Sequence, residues 1–384
     1  MAMPAATVAS TAAVAGRFRK HWLASLVAFG CAAVGITLGL HYPVAQPWMP
    51  VLFACFVAIF YIWPYSWLAV VPAILPIVGF APWTGWLTFE ETDLLILAVA
   101  TAGNARLVFR PPDPPSQASQ AEQGTMLVSG NLGLASVVIT LFLLSLLASL
   151  FRGLADAGGF EFGWFQGYHE PMNSVRVAKS FVEALLLIAL WRVLHRQDPE
   201  RAQSLLSMGL VLGLAATSLA TVWERLAFTG LLNYSSDYRT TGRFWEMHVG
   251  GAALDGYLAL TVPFAVRELL ATRSPARWCI AAGVCALAAY ACLTTFSRGV
   301  YLAVPVGLFV LLVLQTQRRL RLAAADSVKH DPRNNWPARL AVLLLVAVYA
   351  ALAGWMFQTS GYRGAGALLE IGRASCRERV LQVV

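Results

Sequence analysis

Residues Leu127–Leu150 read LVSGNLGLASVVITLFLLSLLASL, an apolar run that contains no Asp, Glu, Lys, Arg or His. A helix needs about twenty consecutive apolar residues to cross the hydrocarbon core of a bilayer. Backbone polar groups in lipid must be hydrogen-bonded within the segment, which an α-helix achieves on its own. This run therefore predicts a membrane-spanning α-helix.

Comparable apolar runs recur along the chain and extend this prediction to most of it. The clear ones are Trp22–Leu40, Met49–Trp63, Val177–Leu194, Ala202–Phe228, Val249–Leu270, Trp278–Phe296, Val300–Leu314 and Ala338–Phe357. Two weaker stretches, Tyr65–Phe80 and Asp93–Phe109, are interpreted as kinked spans or re-entrant segments. The sequence thus predicts an all-α fold, a polytopic transmembrane helical bundle of about 10–11 spans.

The composition excludes an ordinary soluble domain. Hydrophobic residues make up 58% of the chain and charged residues only 12%, which leaves too little charge to cover a water-facing surface. The net charge of +8 does not indicate nucleic acid, because the basic residues are distributed by loop, as membrane topology signals are. Membrane lipids are the expected surroundings, and nucleic acid is not an expected partner.

The basic clusters orient the predicted bundle. Arg17, Arg19 and Lys20 place the N-terminal residues 1–21 in the cytoplasm under the positive-inside rule. Threading both weak spans puts the other dense basic clusters on the same side, namely Arg106 and Arg110, then Arg192, Arg196 and Arg201, then Arg267, Arg273 and Arg277, then residues 318–339. The loop His41–Pro50 has no Lys or Arg and is predicted to lie outside.

Residues 22–357 form the predicted transmembrane domain. It contains a Pro-, Gln- and Ser-rich cytoplasmic linker at 110–125 and two extracytoplasmic loops, at 152–176 and 229–248. Trp164 in the first loop has two open interpretations, a ring that faces a sugar or an anchor at the membrane interface.

Two charged residues stand inside the span that follows this loop. Lys179 and Glu183 are four residues apart, and a pair on one helical face would lower the cost of burying either charge. A structural ion pair and a proton relay are both open interpretations.

The tail departs from the pattern of the rest. Residues 358–370 are interpreted as the start of an extracytoplasmic loop, whereas Ile371–Val380, IGRASCRERV, is abruptly polar and basic on the predicted outer face. This segment resembles the translation of a sequencing adapter, so we interpret residues 371–384 as an artefact. The expectation is a native chain that continues past Glu370, in a loop that is truncated here.

Two segments place arginines where predicted helices meet the outer face. Tyr238–Pro263 reads YRTTGRFWEMHVGGAALDGYLALTVP, and Thr294–Ala303 reads TTFSRGVYLA. A guanidinium grips phosphate bidentately and stays charged in a partly dry site, so Arg239 and Arg298 would together suit a lipid-linked diphosphate. The alternative is that Arg298 only snorkels to the interface.

These segments resemble the two signatures of the O-antigen ligase and O-antigen polymerase superfamily. Its members commonly show an Arg-x-x-Gly-Thr-Phe loop, a Tyr-Leu-Ala-Leu span and a Ser-Arg-Gly turn. The matching residues here are Arg239, Gly242 and Phe244, then Tyr257–Leu260 and Pro263, then Ser297, Arg298 and Gly299. The chain departs from the pattern where Arg243 replaces Thr, and where Glu246, Met247 and His248 replace a common Pro-Asn pair. The likeness covers Trp223–Phe357 in detail.

The resemblance implies a multi-span, GT-C-like glycosyltransferase of lipopolysaccharide or polysaccharide biosynthesis. It would lie in the bacterial inner membrane and work at the periplasmic face. Its donor would be a glycan on undecaprenyl diphosphate, and its acceptor a sugar hydroxyl of lipid A core or of a growing glycan. No cofactor is implied. No metal is expected either, since the predicted outer face has no Asp-x-Asp pair to hold Mg²⁺.

The resemblance also assigns roles to residues. Arg239 and Arg298 would bind the diphosphate and stabilise the charge on the leaving group. The accompanying candidates for substrate binding are Arg243, Ser297, Tyr238 and Trp164. His248 and Glu246 are candidates for the general base, with loop structure or acceptor binding as the alternatives, and the family's own histidine would lie beyond the end of this chain.

Three other functions stay open. A polymerase of the same superfamily has the same motifs. A flippase or transporter of lipid-linked sugars would also need cations that face a diphosphate, but the sequence shows no pair of broken helices in two related halves. A membrane sensor or scaffold would do no chemistry.

Overall fold

The computed structural model describes residues 5–43, 47–78, 87–110, 131–165, 167, 169–234, 238–244, 252–272, 274–325, 347 and 351. For residues 5–21, 131–136, 298 and 318–325 it describes the backbone alone. Within these ranges the chain is all-helical, with ten α-helices and an isolated antiparallel bridge between Leu87 and Phe165. The predicted all-α fold class is confirmed.

The helices follow one another along the chain with mostly short connections. In order they are α1 (Ala5–Leu40), α2 (Trp48–Ile62), α3 (Ser66–Ile74), α4 (Glu91–Phe109), α5 (Asn131–Asp156), α6 (Pro171–Gln197), α7 (Pro199–Phe228), α8 (Ala252–Ala271), α9 (Pro275–Thr294) and α10 (Arg298–Ala325). Proline is the first residue of α6, α7 and α9, a position where its missing N–H costs no helical hydrogen bond.

Six of these helices contain a stretch that is long and apolar enough to cross a membrane. The stretches are Trp22–Leu40, Glu91–Phe109, Val137–Asp156, Pro199–Phe228, Pro275–Thr294 and Gly299–Gln317. The chain is therefore a multi-pass membrane protein, as the hydropathy predicted. The stretch in α5 has none of its residues buried, which suits a helix whose sides face lipid.

The other predicted spans that the structure describes differ from these six in length or in charge. Helix α2 is apolar but has 15 residues, and α3 has nine and contains Pro72. Helices α6 and α8 carry charges along their length, including Lys179 and Glu183 in α6 and Arg267 in α8. The predicted span Ala338–Phe357 lies outside the described residues except at positions 347 and 351, as do the linker from residue 111 and the tail.

The chain divides into two compact units, Met1–Gly209 and Leu210–Val384, and α7 contributes residues to both. In the first unit α4 is central and packs against α1, α2, α3 and α6, while α5 packs against α6. Small residues allow this close packing, since Ala98 and Ala102 of α4 are fully buried. A Cβ at Gly103 would lie 2.6 Å from Leu190 Cδ1, so a larger residue where α4 meets α6 would require the Leu190 side chain to move.

Buried charges in the first unit are paired between helices. Lys179 of α6 forms an ion pair with Asp93 at the start of α4, and Asp93 also accepts the Glu90 amide at 2.6 Å in a capping box. Glu183 lies close to the same Asp93 carboxyl group. The expected pair between Lys179 and Glu183 along one helix is therefore replaced by a pair across two helices, because Asp93 brings a buried carboxylate closer to the ammonium group.

In the second unit α8 is the central helix and packs against α9 and α10. Its core side chains recur at Leu254, Leu258, Val262, Ala265 and Leu269, all buried. These spacings of three and four residues place one face of α8 against its neighbours. This packing brings the start of α8 close to the turn that joins α9 to α10, where the candidate site lies.

Candidate functional site

The candidate site lies in the second unit. It is formed by the described parts of the α7–α8 loop (residues 229–234 and 238–244) and by the α9–α10 turn (residues 295–297). Among the predicted site residues, Tyr238, Arg239 and Arg243 lie in the described part of the loop, and Ser297 lies in the turn. Arg298 is the first residue of α10, with its backbone described. The other two candidates in this loop, Glu246 and His248, are outside the described residues.

The α9–α10 turn reverses the chain in three residues. Phe296 takes a positive φ of 49°, a left-handed conformation that is uncommon for an aromatic residue and so stores strain. Hydrogen bonds hold the turn in place: the Thr295 hydroxyl donates to the Cys292 carbonyl at 2.8 Å, and the Tyr301 hydroxyl donates to the Leu293 carbonyl at 2.8 Å. The backbone at Arg298 therefore follows a turn that these hydrogen bonds hold in place.

The α7–α8 loop lies directly against this turn. Arg239 Nε donates to the Thr295 carbonyl at 2.8 Å, and the Thr240 amide donates to the Thr294 carbonyl at 3.3 Å. The two hydroxyl oxygens of Thr240 and Thr294 are 3.3 Å apart and both buried. The two segments that the sequence singled out are thus neighbours, and Arg239 bonds a residue three positions before Arg298.

Asp255 completes the surroundings of Arg239. This residue, in the first turn of α8, lies with Oδ2 3.5 Å from Arg239 Nη2, and its carboxylate is close to the Ser297 side chain. The Arg239 side chain is 41% exposed and that of Asp255 is 18% exposed. Two of the three guanidinium nitrogens therefore have partners, while Nη1 has none among the described residues, so the group is both oriented and accessible.

Glu224, in the last turns of α7, holds the α7–α8 loop in place. It is 5% exposed, and its carboxylate accepts the Gly242 amide at 2.7 Å, the Thr241 amide at 3.1 Å and the Tyr238 hydroxyl at 2.7 Å. These donors compensate the buried negative charge. Gly242 has a φ of 62°, which glycine adopts without strain. Burial, and then the hydrogen bond to Glu224, raise the pKa of the Tyr238 phenol, so it remains a donor at neutral pH.

Arg225 anchors the first part of the same loop. Its side chain is completely buried, and it donates to the Tyr238 carbonyl at 3.3 Å and to the Asn233 carbonyl. Its guanidinium carbon lies 5.8 Å from the centroid of the Tyr234 ring. The Tyr290 hydroxyl of α9 adds a bond to the Leu231 carbonyl at 2.7 Å. Two adjacent charged residues near the end of an apolar run, Glu224 and Arg225, are a sequence signal that could have indicated this anchor.

Arg243 and Trp164 complete the predicted set. Arg243 is half-buried beside Gly242, and its Nε has no hydrogen-bond partner among the described residues. Trp164 belongs to the first unit and makes edge-to-face contacts with Tyr42, at 5.9 Å between centroids, and with Phe162, at 5.7 Å. These are the contacts of a packing residue, and a sugar-binding role for Trp164 stays a prediction.

Comparisons with protein-family models, with curated proteins and with solved structures found no match to this chain. In the site, the Arg239 guanidinium is oriented by Thr295 and Asp255 and remains partly exposed. Such a group is suited to binding a phosphate or carboxylate oxygen by a charge-assisted hydrogen bond.

Proposed function

We propose that this chain is a membrane glycosyltransferase that moves a glycan from an undecaprenyl-diphosphate donor to a sugar hydroxyl at the outer face of the bacterial inner membrane. The observation that carries the proposal is the bond from Arg239 to the Thr295 carbonyl, at 2.8 Å, which joins the two arginine-bearing segments. The proposal also rests on the resemblance of those segments to the O-antigen ligase and polymerase superfamily.

The role of Arg239 follows from its bonds. Because Nε and Nη2 are held by Thr295 and Asp255, the remaining Nη1 can be presented to a ligand in one orientation. A fixed cation next to the bond that breaks stabilises the negative charge that develops on the departing diphosphate without needing to reorganise. Arg298, three residues after Thr295, is the second cation of the proposal.

The proposed reaction needs a base for the acceptor hydroxyl as well. His248 and Glu246 follow the described loop by a few residues and remain the candidates for that role. Asp255 is assigned a different task, because it already holds Arg239 and so acts as a positioning residue. Undecaprenyl diphosphate would leave carrying the electron pair of the anomeric C–O bond, and the acceptor oxygen would form the new glycosidic bond.

The test compares the native full-length protein with variants of each arginine in cells that lack the native gene. Arg239→Ala and Arg298→Ala are expected to abolish glycan transfer, while Arg277→Ala, an exposed arginine at the start of α9, keeps it. Accumulation of full-length lipid-linked polymer indicates a ligase, and accumulation of single repeat units indicates a polymerase. Retention of the donor in the cytoplasmic leaflet indicates a flippase and contradicts the proposal, as does normal transfer by both arginine variants.

A further inference from the structure

Four carboxyl groups and two cations meet in the first unit, where the start of α4 packs against α6. We name this group the carboxyl cluster. The carboxyl groups belong to Glu90, Glu91, Asp93 and Glu183, and the cations belong to Lys179 and Arg176. If every group were ionised, four negative charges would face two positive charges. The cluster contains none of the residues of the candidate site and does not depend on the activity proposed there.

The ammonium group of Lys179 is already committed to Asp93. These two side chains form an ion pair between α6 and α4, and they are only 12% and 4% exposed. The ammonium group also lies 5.5 Å from the centroid of the Phe89 ring, in a cation–π contact. Lys179 therefore compensates the charge of one carboxylate and has little left for a second.

Glu183 lies next to this pair without a cation of its own. It follows Lys179 by four residues, on the same face of α6, and lies close to the Asp93 carboxyl group. It takes part in no ion pair within the described residues. Ionised Glu183 would place two carboxylates beside one ammonium group in a largely buried region, which is costly. Two adjacent carboxyl groups avoid this cost by sharing one proton.

Tyr42, just after the end of α1, brings a further polar group to the cluster. Its side chain is completely buried, and its hydroxyl has no hydrogen bond of normal geometry among the described residues. Glu91 is the carboxyl group that acts on this hydroxyl most strongly, and Glu91 Oε2 is likewise buried with no partner in those ranges. Because a buried polar atom without a partner is costly, these two atoms are suited to bind a water molecule that carries a proton.

Two groups at the border of the cluster lie outside the membrane-spanning stretches and retain their protons more strongly than usual. Burial raises the pKa of the Glu90 carboxyl, although the charge of Lys179 opposes the effect. Burial also raises the pKa of the Tyr42 phenol, and the charge of Glu91 adds to the effect. Tyr42 belongs to the loop that is predicted to lie outside, so this border is on the predicted outer side.

We propose that the carboxyl cluster is a proton-binding site, in which Glu183 and Asp93 hold one exchangeable proton beside Lys179. Uptake joins a proton from water to a carboxylate oxygen of Glu183 and changes the formal charge of the cluster from two negative charges to one. No other bond forms or breaks. A metal ion is a poorer occupant, because the described residues include no group of three or more side chains arranged to hold one.

The groups that face this proton come from three elements. They are Glu90, Glu91 and Asp93 at the start of α4, Lys179 and Arg176 of α6, and Tyr42 after α1. Helix α5 also packs on α6, but its Arg152 and Asp156 are exposed and pair with each other at 3.7 Å. Tyr61 of α2 lies at the opposite end of α4, where its carbonyl accepts Arg106.

The test is infrared spectroscopy of the full chain in detergent, since the carbonyl band of a protonated carboxyl group is separate from those of carboxylates and amides. We expect the unaltered chain to show this band at neutral pH, and the band to shift in D₂O because the proton exchanges. Glu183→Gln should remove it. Asp93→Asn should remove it as well, because Lys179 is then free to pair with Glu183, which ionises. Glu200→Gln, at an exposed position in the first turn of α7, is the matched control and should keep the band.

The pH dependence of unfolding in detergent gives a second readout. The folded chain holds a proton that the unfolded chain releases above the ordinary pKa of a glutamate, about 4.3, so raising the pH from there towards neutral favours unfolding. The unfolding constant of the unaltered chain should therefore rise, relative to that of Glu183→Gln, by about tenfold per pH unit. Glu183→Gln replaces a neutral acid by a neutral amide of the same shape and is expected to fold.

Three results would each overturn the proposal. The first is absence of the carboxyl band from the unaltered chain at neutral pH. The second is persistence of the band in Glu183→Gln or in Asp93→Asn. The third is an equal pH dependence of unfolding in the unaltered chain and in Glu183→Gln.

Discussion

Replacing Glu224 by alanine should release the loop that carries Arg239. The carboxylate accepts the buried Gly242 amide at 2.7 Å and the part-buried Thr241 amide at 3.1 Å. In the alanine variant neither amide keeps this acceptor. An unsatisfied buried donor costs about 1–3 kcal/mol, so the loss of the Gly242 bond alone should cost about 2 kcal/mol.

The loss of these bonds should destabilise the loop more than the helices. The residues that hydrogen-bond to Glu224 lie between 238 and 242, whereas the core of α8 and α9 is formed by apolar side chains. A local loss of about 2 kcal/mol raises the population of the opened loop about thirtyfold. Glycan transfer should fall with it, because Arg239 would no longer be held against the turn.

The assay is hydrogen–deuterium exchange followed by mass spectrometry on the purified chain in detergent. Peptides that cover 238–244 should exchange at least about thirtyfold faster in Glu224→Ala, and less so in Glu224→Gln, which keeps an acceptor but loses the charge. Glu200→Gln is the matched control, since Glu200 is exposed in the first turn of the same helix. Unchanged exchange of 238–244 in Glu224→Ala, or an equal change in the control, would refute the reasoning.

Three further predictions concern charge and packing. Asp255→Asn should raise the KM for the lipid-linked donor more than it lowers kcat, because the arginine that it positions loses its orientation, and steady-state kinetics in proteoliposomes measures both. Lys179→Met should destabilise the chain by about 3–5 kcal/mol, since Asp93 would be left as a buried unpaired charge, and detergent unfolding reports it. Gly209→Ala should lower the melting temperature because the new Cβ would collide with the backbone of α3, whereas Gly30→Ala, with nothing within 4 Å, should not.

Specific outcomes would contradict each of these. An Asp255→Asn variant with an unchanged KM in the proposed reaction would show that the carboxylate does not position the arginine. Stability of Lys179→Met equal to that of the unaltered chain would mean that Asp93 is neutral or otherwise compensated. Equal melting temperatures of the two glycine variants would contradict the close contact at Gly209.

The helices of this chain could be predicted from its sequence because the reason for them is local. A run such as Leu127–Leu150 can satisfy its backbone and its apolar side chains by forming a helix in lipid, whatever the rest of the chain does. The residues at which the helices end were harder to predict from the sequence. Helix α3 ends at Ile74 and α2 at Ile62, and the charges in α6 are tolerated only because Asp93 lies against Lys179.

The residues of the candidate site likewise fall into those that the sequence predicted and those that it did not. The arginines of the loop and turn were visible because each stands beside an apolar run and within a short motif. Glu224, Arg225 and Asp255 were not selected, since their roles depend on which loop amides and carbonyls reach them. Glu224 bonds residues 14 to 18 positions later, and Arg239 bonds one 56 positions later.

The sequence by itself determined that this is an all-helical membrane protein and where its arginines stand along the chain, since hydropathy and charge act over a few residues. Only the tertiary structure decided which carboxylate meets which cation. It paired Lys179 with Asp93, and it held Arg239 between Thr295 and Asp255. The physical reason is that a buried charge takes whatever partner the packing of helices brings within hydrogen-bond distance, and that distance is set by the fold rather than by position in the chain.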